Sequence, residues 1–266
     1  MKLFASDYDG TYCKHTKLGR QQLKENIKAT KEWQEMGNLF IFATGRPISL
    51  MKIEQKIHGL VYDYIVGLNG AVIVSSDGQV VFRQTIKNEI AKQIVELIQE
   101  KKITQYMVTD GLNGHYYTTF HLFKREYYLF KILKWTHRLF NLTLTQALEQ
   151  PVAQIAVKTN SHEEAIQFAK IINETFGHEV VAYANLLHVD ICAKNLSKAS
   201  GVFEVAKRHR IETDAIYCIG DSFNDLPMIE AYHGLTMIEA VDDLKKQAEA
   251  VFKTVSEAFI YAKEKV

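Results

Sequence analysis

Residues 2–12, KLFASDYDGTY, run apolar to Ser6 and then set two carboxylates, Asp7 and Asp9, one residue apart before Gly10 and Thr11. Side chains two apart on an extended chain point the same way, roughly 6.5 Å from one another. Paired carboxylates at the mouth of an apolar run repel, and burying them without a partner is costly. A hard cation offsets both effects. Mg²⁺ takes oxygen ligands, often one or two carboxylates with phosphate and water. Asp7 would supply one carboxylate and Asp221 another. Taken alone, the same residues also fit a capped strand end with an Asx turn before Gly10.

Three further stretches carry complementary groups. Thr44-Gly45-Arg46-Pro47 offers a hydroxyl, a glycine amide and a helix start, all suited to an anion, although a plain strand-to-helix turn reads the same way. Ser197 is a good N-cap, and Lys198 follows it. A cation there opposes the helix dipole, which hints at a local anion. GDSFNDLP, residues 220–227, gathers Asp221, Ser222, Asn224 and Asp225 in a tight turn, with Pro227 in the first turn of the next helix. Together these parts describe an acidic metal pocket facing a hydroxyl, amides and a lysine, a site for a phosphate monoester.

Such groups converge only if their elements lie in one sheet. Residues 3–6, 38–45 and 215–221 are apolar runs too short for helices and read as buried strands. Residues 64–82 read as a strand and a hairpin turning at Asp77-Gly78. Strands alternate with helices at both ends of the chain, which implies a parallel sheet whose ligands bind beyond the carboxyl ends of its strands. Between these ends the texture changes. Ile90, Ile94, Leu97 and Ile98 make a helical stripe, and strand-like pieces follow near 106–108 and 116–119. Residues 120–140 read as a long helix, residues 152–159 as a strand, and residues 179–193 as two strands. The expected architecture is α/β: a doubly wound, mostly parallel core formed by 1–82 and 188–266, with an inserted α+β domain over 83–187.

Composition narrows the classes. A net charge of +1 over 266 residues argues against a whole-protein nucleic-acid binder or a polybasic membrane anchor. Cys13, Cys192 and Cys218 are odd in number and widely spaced, which favours a reducing compartment over a disulfide framework. The N-terminal run is too short for a signal peptide, and no stretch approaches a membrane span. A cytoplasmic protein is expected, a monomer or weak homo-oligomer, with no nucleic-acid or membrane partner. The ten histidines include no pair at HxxxH spacing for zinc.

The order Asp-x-Asp-Gly-Thr, Thr-Gly-Arg, Lys and Gly-Asp-Ser-x-Asn-Asp resembles the haloacid dehalogenase superfamily. More narrowly it resembles the Cof-type phosphatases, in which a large α+β cap of class IIB is inserted before the lysine motif. GLNGA at residues 67–71 is similar to that family's third strand end. The resemblance spans the whole chain and implies Mg²⁺-dependent hydrolysis of small phosphate monoesters, most often sugar phosphates. It implies that Asp7 is the nucleophile and a metal ligand. Asp9 would be the general acid and then base, reaching the metal through its backbone carbonyl. Thr44, Gly45 and Lys198 would hold the phosphoryl oxygens, Asn224 would contact the phosphate, and Arg46 would reach toward the substrate or cap. Asp221 would complete the Mg²⁺ site with Asp225 in support. Tyr8 and Tyr12 depart from the family pattern and are expected to reshape the entrance.

Two other readings stay open. A phosphomutase of the same superfamily would use the same nucleophile but retain the phosphoryl group while its substrate reorients. A non-enzymatic interaction protein could use residues 120–140, where Lys124, Lys131 and Arg138 accompany Tyr128, Ile132, Trp135 and Leu139. Such a face suits a membrane surface or stacked bases, and equally a helix packed on its own domain.

Overall fold

The structure is a computed structural model that describes residues 1–14, 16–118 and 142–265. The basic-aromatic stretch 120–140, and with it the interaction-protein reading, lies outside the described residues. Two compact units divide the chain: Met1–Phe82 with Leu196–Val266, and Arg83–Asn195.

The first unit is built on an eight-stranded sheet of order β13-β12-β11-β1-β2-β3-β4-β5. Its strands are β1 (Leu3–Ser6), β2 (Leu39–Ala43), β3 (Tyr64–Gly67), β4 (Val72–Ser75), β5 (Val80–Arg83), β11 (Ile216–Gly220), β12 (His233–Met237) and β13 (Ala250–Phe252). From β13 through β3 the pairings are parallel, and β4 joins β3 antiparallel. The strands β1 and β11 are buried throughout, and their sequences are continuous apolar runs, as a sheet covered on both faces requires.

Alternation along β1 and β2 sorts the two faces. Phe4, Phe40 and Phe42 point toward helices α1 (Lys17–Glu35) and α9 (Val255–Glu264). There Phe4 stacks on Phe259 at 4.2 Å and meets Trp33 edge-on at 5.8 Å. Leu3, Ala5, Ile41 and Ala43 point the other way and pack with Val202, Val205 and Ala206 of helix α6 (Lys198–His209). Asp7 continues the Leu3–Ala5 side of that alternation, so it faces the helix that carries Lys198. Tyr8 continues the Phe4 side. Helix α2 (Ile48–His58) follows β2, starting after Pro47. Helices α7 (Leu226–Ala231) and α8 (Asp242–Gln247) follow β11 and β12.

The second unit holds a five-stranded sheet of order β7-β6-β8-β10-β9, with antiparallel pairings. Its strands are β6 (Gln105–Thr109), β7 (His115–Tyr117), β8 (Gln154–Lys158), β9 (Val180–Asn185) and β10 (His188–Ala193). Helices α3 (Asn88–Glu100), α4 (Leu144–Glu149) and α5 (His162–Phe176) complete the described part. Of the expected stripe on α3, Ile94 and Ile98 are buried together with Ala91 and Val95, while Ile90 and Leu97 are half-buried; the Ala165, Phe168, Ala169, Ile172, Phe176 face of α5 is buried. The expected boundary at 187/188 requires correction. Strand β10 pairs on both sides within this unit, with β8 and with β9, so the division falls at Asn195/Leu196. The Gly111–Gly114 stretch forms the β6–β7 turn, where Asp110 Oδ1 accepts from the amides of Leu112, Asn113 and Gly114.

Candidate active site

Asp7 stands one residue beyond β1, its amide donating to the Ile219 carbonyl of β11 at 2.9 Å. Asp221 stands one residue beyond β11. The two carboxylates therefore come from adjacent parallel strands at their carboxyl ends, where β2 lies on one side of β1 and β11 on the other. Asp225 returns to the same place because residues Phe223–Asp225 make a 3₁₀ turn. Its Oδ2 accepts from the amides of Asp221 and Ser222 at 3.0 and 2.9 Å. One oxygen from each of Asp7, Asp221 and Asp225 lies within 4.8 Å of the others.

Lys198 opens α6, which Ser197 caps through Ser200. The helix start reaches the sheet because residue 201 is glycine: a Cβ there would fall 2.2 Å from Val66 Cγ1. Lys198 is 1% exposed, and its Nζ donates to Asp7 Oδ1 and to Asp225 Oδ1, each at 2.6 Å. Burial alone would lower the Lys198 pKa. Asp225 and Asp7 outweigh it, and the net direction is upward. Burial raises the Asp7 carboxyl well above its ordinary value, and Asp225, Asp221 and Asp9 push it further against the pull of Lys198. Asp221 is also raised, by burial and then by Asp225. Three carboxylates against one ammonium leave a formal charge of minus two, which a divalent cation matches.

The loop after β1 is shaped to that cluster. Gly10 has φ +83°, and a Cβ on it would fall 2.4 Å from Asp221 Oδ2. Thr11 Oγ1 donates to Asp221 Oδ1 at 2.8 Å. Thr44 is 1% exposed beyond β2. Its oxygen accepts from the Arg46 amide at 3.1 Å, which keeps its own proton for an acceptor. Asn224 Nδ2 donates to Asn69 Oδ1 at 3.2 Å, while Asn224 Oδ1 is buried and meets no donor among the described residues.

Several expectations meet a different arrangement. The carboxylate cluster holds Asp225 beside the expected Asp7 and Asp221, and the Asp9 side chain lies outside it, its expected contact with the metal being through the backbone carbonyl. The Asp9 side chain is held by Arg46, whose Nε and Nη2 donate to its oxygens at 2.5 and 2.6 Å. The third Arg46 nitrogen, Nη1, donates to Glu54 Oε1 at 2.8 Å, so all three guanidinium nitrogens have carboxylate partners on this chain. Tyr8 and Tyr12 do not line an entrance. Both are buried among the β2 aromatics, and the Tyr12 hydroxyl meets Thr30 Oγ1 at 2.8 Å. Glu54, Thr11 and Asn69 were not among the expected site residues. Thr11 and Asn69 lie inside the motifs already singled out, whereas Glu54 has no local signal on its helix.

The sequence profile of the haloacid dehalogenase-like hydrolases matches residues 4–262. A 5-amino-6-(5-phospho-D-ribitylamino)uracil phosphatase, YwtE of Bacillus subtilis, is 26% identical, with 97% of this chain and 94% of the relative covered. YwpJ, a phosphatase of the same organism, is also 26% identical, over 97% of this chain and 96% of its own. Among solved structures, the haloalkanoate-superfamily phosphatase BT1666 of Bacteroides thetaiotaomicron superposes with TM-score 0.74 at 24% identity, covering 99% of this chain and 94% of its own. The subclass IIB sugar phosphatase BT4131 gives TM-score 0.74 at 19% identity, with 98% of each chain covered. With these motifs at one end of one sheet and an α+β unit inserted in the chain, this protein belongs to the haloacid dehalogenase-like hydrolase family, as a Cof-type phosphatase.

Proposed function

We propose that this protein hydrolyses small phosphate monoesters, sugar phosphates foremost, in a Mg²⁺-dependent reaction through an aspartyl-phosphate on Asp7. The observation that carries the reading is the buried Asp7 carboxylate, held by Lys198 beside Asp221 and Asp225. The substrate class is supported by the names of relatives, one acting on a phosphorylated ribityl compound and one a sugar phosphatase.

In the first half, an Asp7 oxygen attacks phosphorus and the bond to the ester oxygen breaks. Asp9 gives that leaving oxygen a proton. In the second half, water attacks phosphorus, Asp9 takes its proton, and the bond to Asp7 breaks to release inorganic phosphate. Lys198 and the Thr44 hydroxyl neutralise and orient the phosphoryl oxygens. The Gly45 amide and Asn224 complete that cradle, and Arg46 serves it indirectly through Asp9. Asp7 and Asp221 would hold Mg²⁺ together with the Asp9 carbonyl, with Asp225 fixing Lys198 and the loop. The donor set is all oxygen, and the formal charge of minus two suits a divalent cation. When bound, the ion supplies charge neutralisation that lets an anionic ester approach a carboxylate. Among the described residues no helix is long and apolar enough to cross a membrane. The three cysteines are buried thiols, which supports a cytoplasmic setting.

A phosphate-release screen over metabolite phosphates, with and without chelator, tests the reading. Chelator should abolish turnover, and Asp7→Asn should leave none. Hydrolysis persisting in Asp7→Asn would remove Asp7 as nucleophile.

A further inference from the structure

Tyr8 stands between the two motif aspartates, and its ring has no exposed surface. Its hydroxyl donates to Glu54 Oε2 at 2.9 Å, and its ring face lies 5.2 Å from the Arg46 guanidinium carbon. Glu54 Oε1 accepts from Arg46 Nη1, while Arg46 Nε and Nη2 hold both oxygens of Asp9. His58 Nε2 closes the far side of Glu54 at 3.3 Å. The chain of contacts runs from the core aromatic Phe42, edge-on to Tyr8 at 5.6 Å, through Tyr8 and Glu54 to Arg46 and then Asp9.

We propose that Tyr8 and Glu54 are positioning residues for the Asp9 proton transfer, acting through Arg46. The inference rests on the acid–base role given to Asp9 above. Two parallel donors fix the plane of a carboxylate as well as its place. The fork that supplies them cannot turn without breaking its third bond to Glu54 and leaving the Tyr8 face. Stability is a poor account of this construction. The Asp9 side chain is 43% exposed, and ion pairs in that setting contribute little to stability. Aim is a better one, because proton transfer needs the acid within hydrogen-bond reach of the leaving oxygen, and a misplacement of about 1 Å costs up to about a hundredfold in rate.

The test compares kcat/KM for phenyl phosphate and p-nitrophenyl phosphate. The two differ by one nitro group on the leaving ring, and phenolate needs a proton to leave, whereas the weakly basic nitrophenolate does not. Because kcat/KM reports only the steps through formation of the aspartyl-phosphate, loss of aim should appear selectively with phenyl phosphate. Glu54→Gln should lower phenyl phosphate turnover by about tenfold and p-nitrophenyl phosphate by under about threefold. Tyr8→Phe keeps the ring under Arg46 and loses the hydroxyl; it should shift the ratio the same way by about threefold. Asp9→Asn, run in parallel, should show the largest shift. Equal losses on both esters, or an unchanged ratio, in folded Glu54→Gln and Tyr8→Phe would overturn the inference. Absence of discrimination in Asp9→Asn would instead overturn the role of Asp9, and absence of wild-type hydrolysis of either ester the proposed function itself.

Discussion

Lys198 Nζ stands 2.6 Å from Asp7 Oδ1 across 191 positions of chain, and both side chains are buried. The same ammonium holds Asp225, so one cation ties the loop after β1 to the loop after β11 through the start of α6.

Removing that ammonium strands two buried carboxylates. Lys198→Met should lower stability by about 3–5 kcal/mol, since breaking a buried pair leaves an uncompensated charge. It should also abolish turnover. The double variant Lys198→Met/Asp225→Asn should regain part of the stability and none of the activity. Urea midpoints of both single variants and the double variant check the coupling.

Metal-free stability should fall as pH rises through the mildly acidic range. Asp7 and Asp221 hold their protons more tightly folded than unfolded, by burial first and by neighbouring carboxylates second. Their contribution is full below the ordinary value of 3.8 and is lost as pH rises through the elevated folded values. Lys198, raised in the fold, keeps its contribution until pH exceeds its ordinary 10.5 and adds no slope here. Calorimetric melts in chelator, from about pH 4 to pH 8, should show the decline, flattened in Asp7→Asn. At neutral pH, Mg²⁺ at about a hundred times its Kd should add about 2.7 kcal/mol.

Gly10→Ala should separate folding from metal binding. Its left-handed backbone costs a side chain about 1–2 kcal/mol. The new methyl would also displace Asp221, since its position lies 2.4 Å from Asp221 Oδ2. A protein that still folds in chelator but gains little melting temperature from Mg²⁺ is the expected result.

Asp9→Asn should keep the fold within about 1 kcal/mol, because the Asp9 side chain is partly exposed and Glu54 still pairs with Arg46. Turnover should fall severely, by about 10²–10⁴-fold. Rapid quench with ³²P-labelled substrate should trap aspartyl-phosphate that wild type does not accumulate.

Local chemistry made much of this protein legible. The buried strands β1, β2 and β11 announce themselves as short apolar runs, Ser197 as a helix cap, and Gly10 as a turn. Each signal is carried by neighbours in sequence, where strand period, capping and backbone sterics act. The α/β class and the ordered motifs could therefore be read without coordinates.

Other relationships depended on which strand ends became adjacent. Asp225 reaches Lys198, Asp9 turns onto Arg46, and Glu54 anchors that arginine through contacts that side-chain spacing does not encode. Tyr8 looked like an entrance residue until the β1 alternation aimed it at Phe42. Strand β10 looked like the return to the core, but backbone pairing with β8 and β9 decided its unit. Local preference names a residue's conformation, whereas its partner is chosen by strand order, register and charge at a distance, and those exist only once the chain has folded.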